Sequence, residues 1–192
     1  MELYLIRHGE TAWSTQARYT SRTDLPLTDH GRAEAVRARE VLQGLAGPLS
    51  KLDSVSTSPL KRAVQTCALI FDPPVEPVVS DLLTELDFGD FEGCTGAEAQ
   101  ERRPGWDLWR DGGPEGESLD HLAHRARRFV DGLPPGGRSV AVAHGYVLRA
   151  IAACAVGWPP TAGRALVCDT GSVSVITDRA GRVAIDRWNL IR

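Results

Sequence analysis

The segment LYLIRHGET, residues 3–11, decides how the rest of the chain is read. Leu3, Tyr4, Leu5 and Ile6 are four consecutive apolar residues, the pattern of a strand buried on both faces of a parallel sheet. The strand runs straight into Arg7, His8, Gly9 and Glu10: a permanent cation, a titratable imidazole, a glycine and a carboxylate. In open α/β sheets, ligands bind just beyond the carboxyl ends of the strands. The segment therefore predicts that Arg7 and His8 stand where a ligand sits.

Outward from this point, strand and helix signals alternate. Thr28 is an N-cap for a helix near 29–45. DSVST, 53–57, reads as a second strand, and Pro59 suits the first turn of a helix continuing over 60–71. Residues 75–79, after Pro73-Pro74, read as a short strand. Residues 85–116, rich in Gly, Asp and Trp, form a long excursion with little helix beyond 96–103. Its Gly112, Gly113 and Gly116 suggest a mobile cover. Ser118 caps a helix to about 132, with Leu119, Leu122, Ala123, Ala126, Phe129 and Val130 on one face. SVAVAHG, 139–145, repeats the opening pattern of apolar strand, His and Gly, and a helix follows near 146–156. SVSVIT (172–177) and RVAIDRW (182–188) make a hairpin around Ala180-Gly181. Alternating β and α units predict an α/β fold: a three-layer α/β/α sandwich with a mainly parallel central sheet, built as one domain over 1–192.

Composition removes several classes of function. The chain has 192 residues, 42% of them apolar, and a net charge of −3, so nothing draws it as a whole to nucleic acid or to an anionic membrane. No apolar run reaches the roughly 18 residues of a membrane helix, and the start does not read as a signal peptide. Cys67, Cys94, Cys154 and Cys168 lack C-x-x-C spacing. A reduced, cytoplasmic chain without structural zinc is expected.

Two strands thus end in His-Gly, and neighbouring parallel strands would bring His8 and His144 to one edge. Gly9 and Gly145 permit a sharp turn and close approach of a ligand. Helix N-termini would offer free N–H groups to an anion. Arg7 is a planar donor suited to phosphate, and Lys61 and Arg62 lie one turn into the helix after the second strand. Such a pocket fits a compact dianion, most simply a phosphoryl group. A neutral imidazole is a capable nucleophile, and cations stabilise the transferring group. Glu85, at a strand end, is the candidate proton donor, with Asp87, Asp90 and Glu92 as rivals.

LIRHGETAW, RTDLPLTDHGRAEA, SPLKRAVQT, ELDFGDFEG, WRDGGPEGES and VAHG, in this order, resemble the histidine phosphatase superfamily, over about residues 3–150. The resemblance implies a phosphoglycerate mutase-like fold. It makes His8 the phosphorylated nucleophile, with Arg7, Arg62 and His144 around the phosphoryl group and Glu85 as proton donor. Ser14 matches a position that touches phosphate, and Thr20 and Ser21 fall on the loop that lines the pocket. Many relatives have Gly where Ser21 stands. The acid segment is Glu85-Leu86-Asp87-Phe88, unlike the Glu-Arg-His-Tyr of the mutases, and no counterpart of their basic insertion is found. WDLWRDGGPEGES is closer to the small acid and sugar phosphatases.

The leading expectation is a metal-independent phosphatase acting on a small phosphorylated metabolite, needing no cofactor. A mutase of the same fold, a non-catalytic phospholigand-binding module and a metallohydrolase are the alternatives. A short sheet edge or the terminal hairpin offers a surface on which a homodimer could form. His121 and His124 read as the solvated face of their helix, as do Arg125, Arg127 and Arg128. Arg102, Arg103 and Arg110 read as solvated, with a second phosphate as the other option. Cys154 reads as core, and Trp106 and Trp109 either pack the excursion down or line the way in.

Overall fold

The computed structural model describes residues 1–73 and 75–191. In chain order the elements are β1 (Glu2–Arg7), α1 (Asp29–Ala46), β2 (Ser54–Thr57), α2 (Lys61–Ile70), β3 (Val78–Val79), α3 (Gly96–Arg102), α4 (Leu108–Asp111), α5 (Leu119–Asp131), β4 (Arg138–Ala143), α6 (Gly145–Ala155), β5 (Val173–Arg179) and β6 (Arg182–Leu190). The sheet order is β3-β2-β4-β1-β5-β6. β1 to β4 run parallel, and β5 is antiparallel to both β1 and β6. Among the described residues, no helix is long and apolar enough to cross a membrane.

The alternation of β1 builds two cores. Leu3 and Leu5 face a layer with α5 and α6, joined by Leu122, Phe129, Val147 and Ile151. Tyr4 and Ile6 face the other layer, where Leu42 of α1 and Ile70 of α2 pack. The three-layer expectation is met. α1 buries Ala35, Ala38, Leu42 and Ala46 at helical spacing, and the Thr28 hydroxyl accepts from Gly31 N–H at its start.

Several boundaries differ. α2 begins at Lys61, with Leu60 at the N-cap, so Pro59 precedes the helix. β3 keeps only two of the five residues expected, because Pro77 has no N–H for the ladder; Pro74 lies outside the described residues. Asp107 caps α4, a short helix the sequence pattern did not suggest. Residues 112–116 are a packed turn. A Cβ at Gly113 would lie 2.1 Å from Asp87 O and one at Gly116 2.3 Å from it. These glycines serve close backbone approach, which replaces the mobile cover expected of them. Ala180 and Gly181 both have positive φ, the geometry of a tight hairpin turn.

A similar approach locks the end of β1 against α1. A Cβ at Gly31 would sit 2.2 Å from Glu10 O, and one at Gly9 would sit 2.1 Å from Gly31 O. Gly31→Ala is therefore expected to destabilise the protein by roughly 1–3 kcal/mol, although alanine in a helix is favoured over glycine by about 1 kcal/mol. Gly44, in the same helix, has nothing within 4 Å of a built Cβ. Gly44→Ala should stabilise by about 0.4–1 kcal/mol. Urea unfolding of both variants checks the pair; a stabilised Gly31→Ala would show the contact to be soft.

Candidate active site

β1 and β4 are neighbours in register, with Arg7 opposite Ala143. The residues that follow, His8 and His144, therefore meet, with ring centroids 5.0 Å apart and edge-on. His8 N–H continues the ladder to Ala143 O at 2.9 Å. The His8 ring Nδ1 lies 2.7 Å from Gly9 O. A carbonyl only accepts, so Nδ1 carries the proton and Nε2 keeps its lone pair. In His144 the arrangement is reversed. Arg62 Nε–H donates to Nδ1 at 3.1 Å, leaving Nε2–H for Ser58 Oγ at 2.7 Å. Burial, then the charges of Arg62 and Arg7, hold His8 well below the usual imidazole range. His144 is lowered likewise, by burial first and Arg62 next. Both rings are neutral near pH 7.

Arg7 NηH donates to Cys168 O at 2.5 Å, and its guanidinium lies against Gly145. Its Nε–H is buried with no hydrogen-bond partner, the sole such side-chain atom among the described residues. Buried donors are nearly always paired, so this one suits an incoming oxygen. Arg62 is fully buried. Beyond His144, it donates to the carbonyls of Thr23, Thr20 and Ser21 at 3.1–3.3 Å. Glu92 grips the same loop by accepting from Ser21 N–H, Ser21 Oγ–H and Thr23 N–H.

Glu85 is 9% exposed and caps α6: its carboxylate accepts from Tyr146 and Val147 N–H, and from Leu86 N–H. Asp24 likewise accepts from Lys61 N–H at the start of α2. Free helix N-termini are only partly found: carboxylates of the chain take the amides of Tyr146 and Val147 in α6 and of Lys61 in α2, and Gly145, the first residue of α6, lies in the cavity wall.

A cavity of about 380 Å³ is lined by Arg7, His8, Ser14, Thr20, Glu85 and Gly145, among others. Ser14 Oγ is tied to Thr11 N–H and Thr11 O, and Thr20 Oγ donates to Arg18 O. The structure brings six expected residues to one wall. Arg62 and His144 lie behind it. Ser21 is turned away: its hydroxyl donates to Glu92 at 2.6 Å and accepts from Phe88 N–H. Of the four carboxylates between 85 and 92, only Glu85 lines the cavity. Glu92 is occupied by the loop, and Asp87 pairs with Arg22 near the surface.

Sequence reasoning missed the outer wall, where Arg18, Tyr19, Phe88, Tyr146, Arg149 and Arg164 join the lining. Arg149 lies over the rings of Tyr146 (4.2 Å) and Trp109 (4.9 Å), and donates to Gly145 O. One turn beyond Gly145 on α6, Arg149 was reachable by helical spacing alone. Trp109 and Trp106 are buried, so they pack the excursion down. The excursion's Arg102, Arg103 and Arg110 are not part of this wall.

The model of the histidine phosphatase superfamily (branch 1) matches residues 3–191. An acid phosphatase of Mycobacterium tuberculosis is 36% identical over 178 residues, covering 90% of this chain and 84% of the relative. A probable phosphoglycerate mutase of Klebsiella pneumoniae is 31% identical, covering 91% and 83%. A solved mycobacterial glucosyl-3-phosphoglycerate phosphatase superposes with a TM-score of 0.83 at 31% identity, covering 98% of each chain. Two His-Gly strand ends meeting beside a buried Arg62, in a chain matched almost end to end, mean that this protein belongs to the histidine phosphatase superfamily.

Proposed function

We propose that the protein is a metal-independent phosphomonoesterase that hydrolyses a small phosphorylated metabolite in the cytoplasm. The observation that carries this reading is the tautomer of His8. Its proton is held by Gly9 O, and Nε2 is left as a nucleophile in a wall that also holds the unpartnered Nε–H of Arg7. Nε2 attacks phosphorus; the N–P bond forms as the bond to the leaving oxygen breaks. Glu85, in the same wall, gives a proton to that oxygen. Water then attacks the phosphohistidine and returns its proton to Glu85. Arg7 supplies N–H groups and Arg62 supplies field to the growing charge. His144, oriented by Arg62, keeps that guanidinium in place.

Relatives carry both phosphatase and mutase names, so the fate of the phosphoryl group needs its own support. Hydrolysis is favoured because none of the excursion's arginines reaches the cavity wall. Transfer back to substrate has one feature in its favour. Arg149 lines the cavity without a carboxylate partner among the described residues, and could grip a second anionic group. Incubation with 3-phosphoglycerate and a trace of 2,3-bisphosphoglycerate should give inorganic phosphate or no product. Stoichiometric 2-phosphoglycerate would establish the mutase instead.

His8→Ala should lower turnover at least about a thousandfold while the fold persists, and wild-type activity should survive excess EDTA. Glu85→Gln should slow alkyl phosphates by about a hundredfold or more and aryl phosphates far less, since a phenolate needs little help from a proton. Equal losses would leave Glu85 a purely structural cap. The pH dependence follows from the two buried imidazoles. Their folded pKa values lie below the unfolded value, so the unfolded chain binds more protons as pH falls below about 6.5. Stability is full above that pH and is lost below it, by up to about 1.4 kcal/mol per pH unit for each ring. Urea midpoints at pH 7.5 and 5.5 test this, and His8→Asn should reduce the slope. The aryl phosphate kcat/KM should show no acidic limb near the usual imidazole pKa; a limb there would mean that His8 is not held neutral.

A further inference from the structure

Arg125 was expected on the solvated face of α5, yet it is 6% exposed and fully engaged. Its Nε–H and one Nη–H donate to the two oxygens of Glu117 at 2.7 and 2.8 Å. Its other Nη donates to Leu82 O at 2.9 Å and Thr84 O at 2.7 Å. Glu117 is itself buried, and its backbone N–H donates to Asp87 O at 2.9 Å. The Arg125 side chain thus grips the chain at Thr84, and the backbone of its partner Glu117 grips it at Asp87. Between these two points lies Glu85. Leu83 and Leu86, on either side of Glu85, are fully buried.

We infer that the Arg125–Glu117 pair is a positioning device for the Glu85 carboxyl, setting the backbone that aims it into the cavity. The inference rests on Glu85 being the proton donor. Two anchors act on this carboxyl. The amides of α6 hold its tip, and the ion pair holds its root. The groups that grip the phosphoryl end, Arg7 and His8, stand on the end of β1 and share no hydrogen bond with the pair. Loosening the pair should therefore move the acid and leave phosphoryl binding in place. A buried ion pair is in itself weak evidence of stability. A guanidinium that also spans two backbone carbonyls beside a carboxyl in the cavity wall has a geometric role that two leucines could not fill.

The test compares leaving groups. Arg125→Lys and Glu117→Gln are assayed on an alkyl phosphate and on p-nitrophenyl phosphate, with inhibition by inorganic phosphate measured in parallel and Glu85→Gln as reference. The expected result is a fall in kcat of about tenfold to a hundredfold on the alkyl ester, with little change on the aryl ester. Inhibition by phosphate should stay within about twofold of wild type, because the phosphoryl site is untouched. Lysine cannot hold two carboxylate oxygens and two carbonyls together, so Arg125→Lys should lose activity on the alkyl ester, but it keeps the charge and should lose less than Arg125→Met. If single variants fail to fold by thermal unfolding, the double variant Arg125→Met/Glu117→Gln removes both buried charges and is assayed in their place. Equal losses on both esters, or none, while Glu85→Gln remains selective, would overturn the positioning role alone. Loss of selectivity in Glu85→Gln itself would overturn the proton-donor assignment, and the positioning role with it.

Discussion

A guanidinium buried to zero exposure is the constraint around which this site is arranged. Arg62 cannot shed its proton, and taking its charge out of water is costly. The chain offsets that cost with three carbonyls of the loop 20–23 and the Nδ1 lone pair of His144. Glu85, Asp24 and Glu92 add attraction from further away. Each of these contacts has a second effect. The carbonyl contacts fix the loop that lines the cavity. The bond to His144 selects that ring's tautomer. The charge itself helps keep His8 neutral. The loop, the His144 tautomer and the neutral state of His8 thus all lean on one cation.

What could be read from sequence was whatever depends on neighbours along the chain or on a repeated pattern. Two apolar strands ending in His-Gly announced one edge, and the adjacency of β1 and β4 brings His8 and His144 together there. Thr28 and Ser118 were recognisable as caps because a cap acts within three residues. Ser21 was misjudged because its partner, Glu92, lies 71 residues away, and only the fold decides that its hydroxyl faces inward. The same holds for the amides of α6, taken by a carboxylate 61 residues upstream. Arg125 could have been found. It stands three residues after Leu122 and four before Phe129, on the buried stripe, but an arginine on a helix is read as solvated by habit. The glycines at 113 and 116 illustrate a true ambiguity: freedom to move and freedom from a side chain leave the same letter in the sequence.

The cavity has two chemically distinct walls. Around His8 it is cationic, with Arg7 in the lining and Arg62 behind it. Further out it is aromatic, with Tyr19 stacked on Phe88 at 4.7 Å and Tyr146 edge-on to Phe88 at 5.4 Å. Burial pushes the Tyr19 phenol up to about 12, so this wall presents neutral hydroxyls and ring faces to whatever the phosphoryl group is attached to. Arg149, seated on two of the rings, interrupts it with charge, as do Arg18 and Arg164. The cationic part of the wall is built by the end of β1, and the aromatic part by α6, the excursion and Tyr19 of the loop after β1.

The two edges of the sheet, finally, bear on how the molecule behaves in a crowd of its own copies. An unpaired strand edge is a template for another strand, and proteins that stay dispersed have to blunt it. β3 does so by brevity, since Pro77 stops its ladder and leaves two exposed valines too few to recruit a partner. β6 is nine residues long and needs another means. It carries Arg182, Asp186 and Arg187, with Asp186 bridged to Arg179 and Arg187, and the β5–β6 ladder slips in register near Val175. Charge and irregularity on one side, and a proline on the other, guard the central strands on which His8 and His144 depend against templated aggregation.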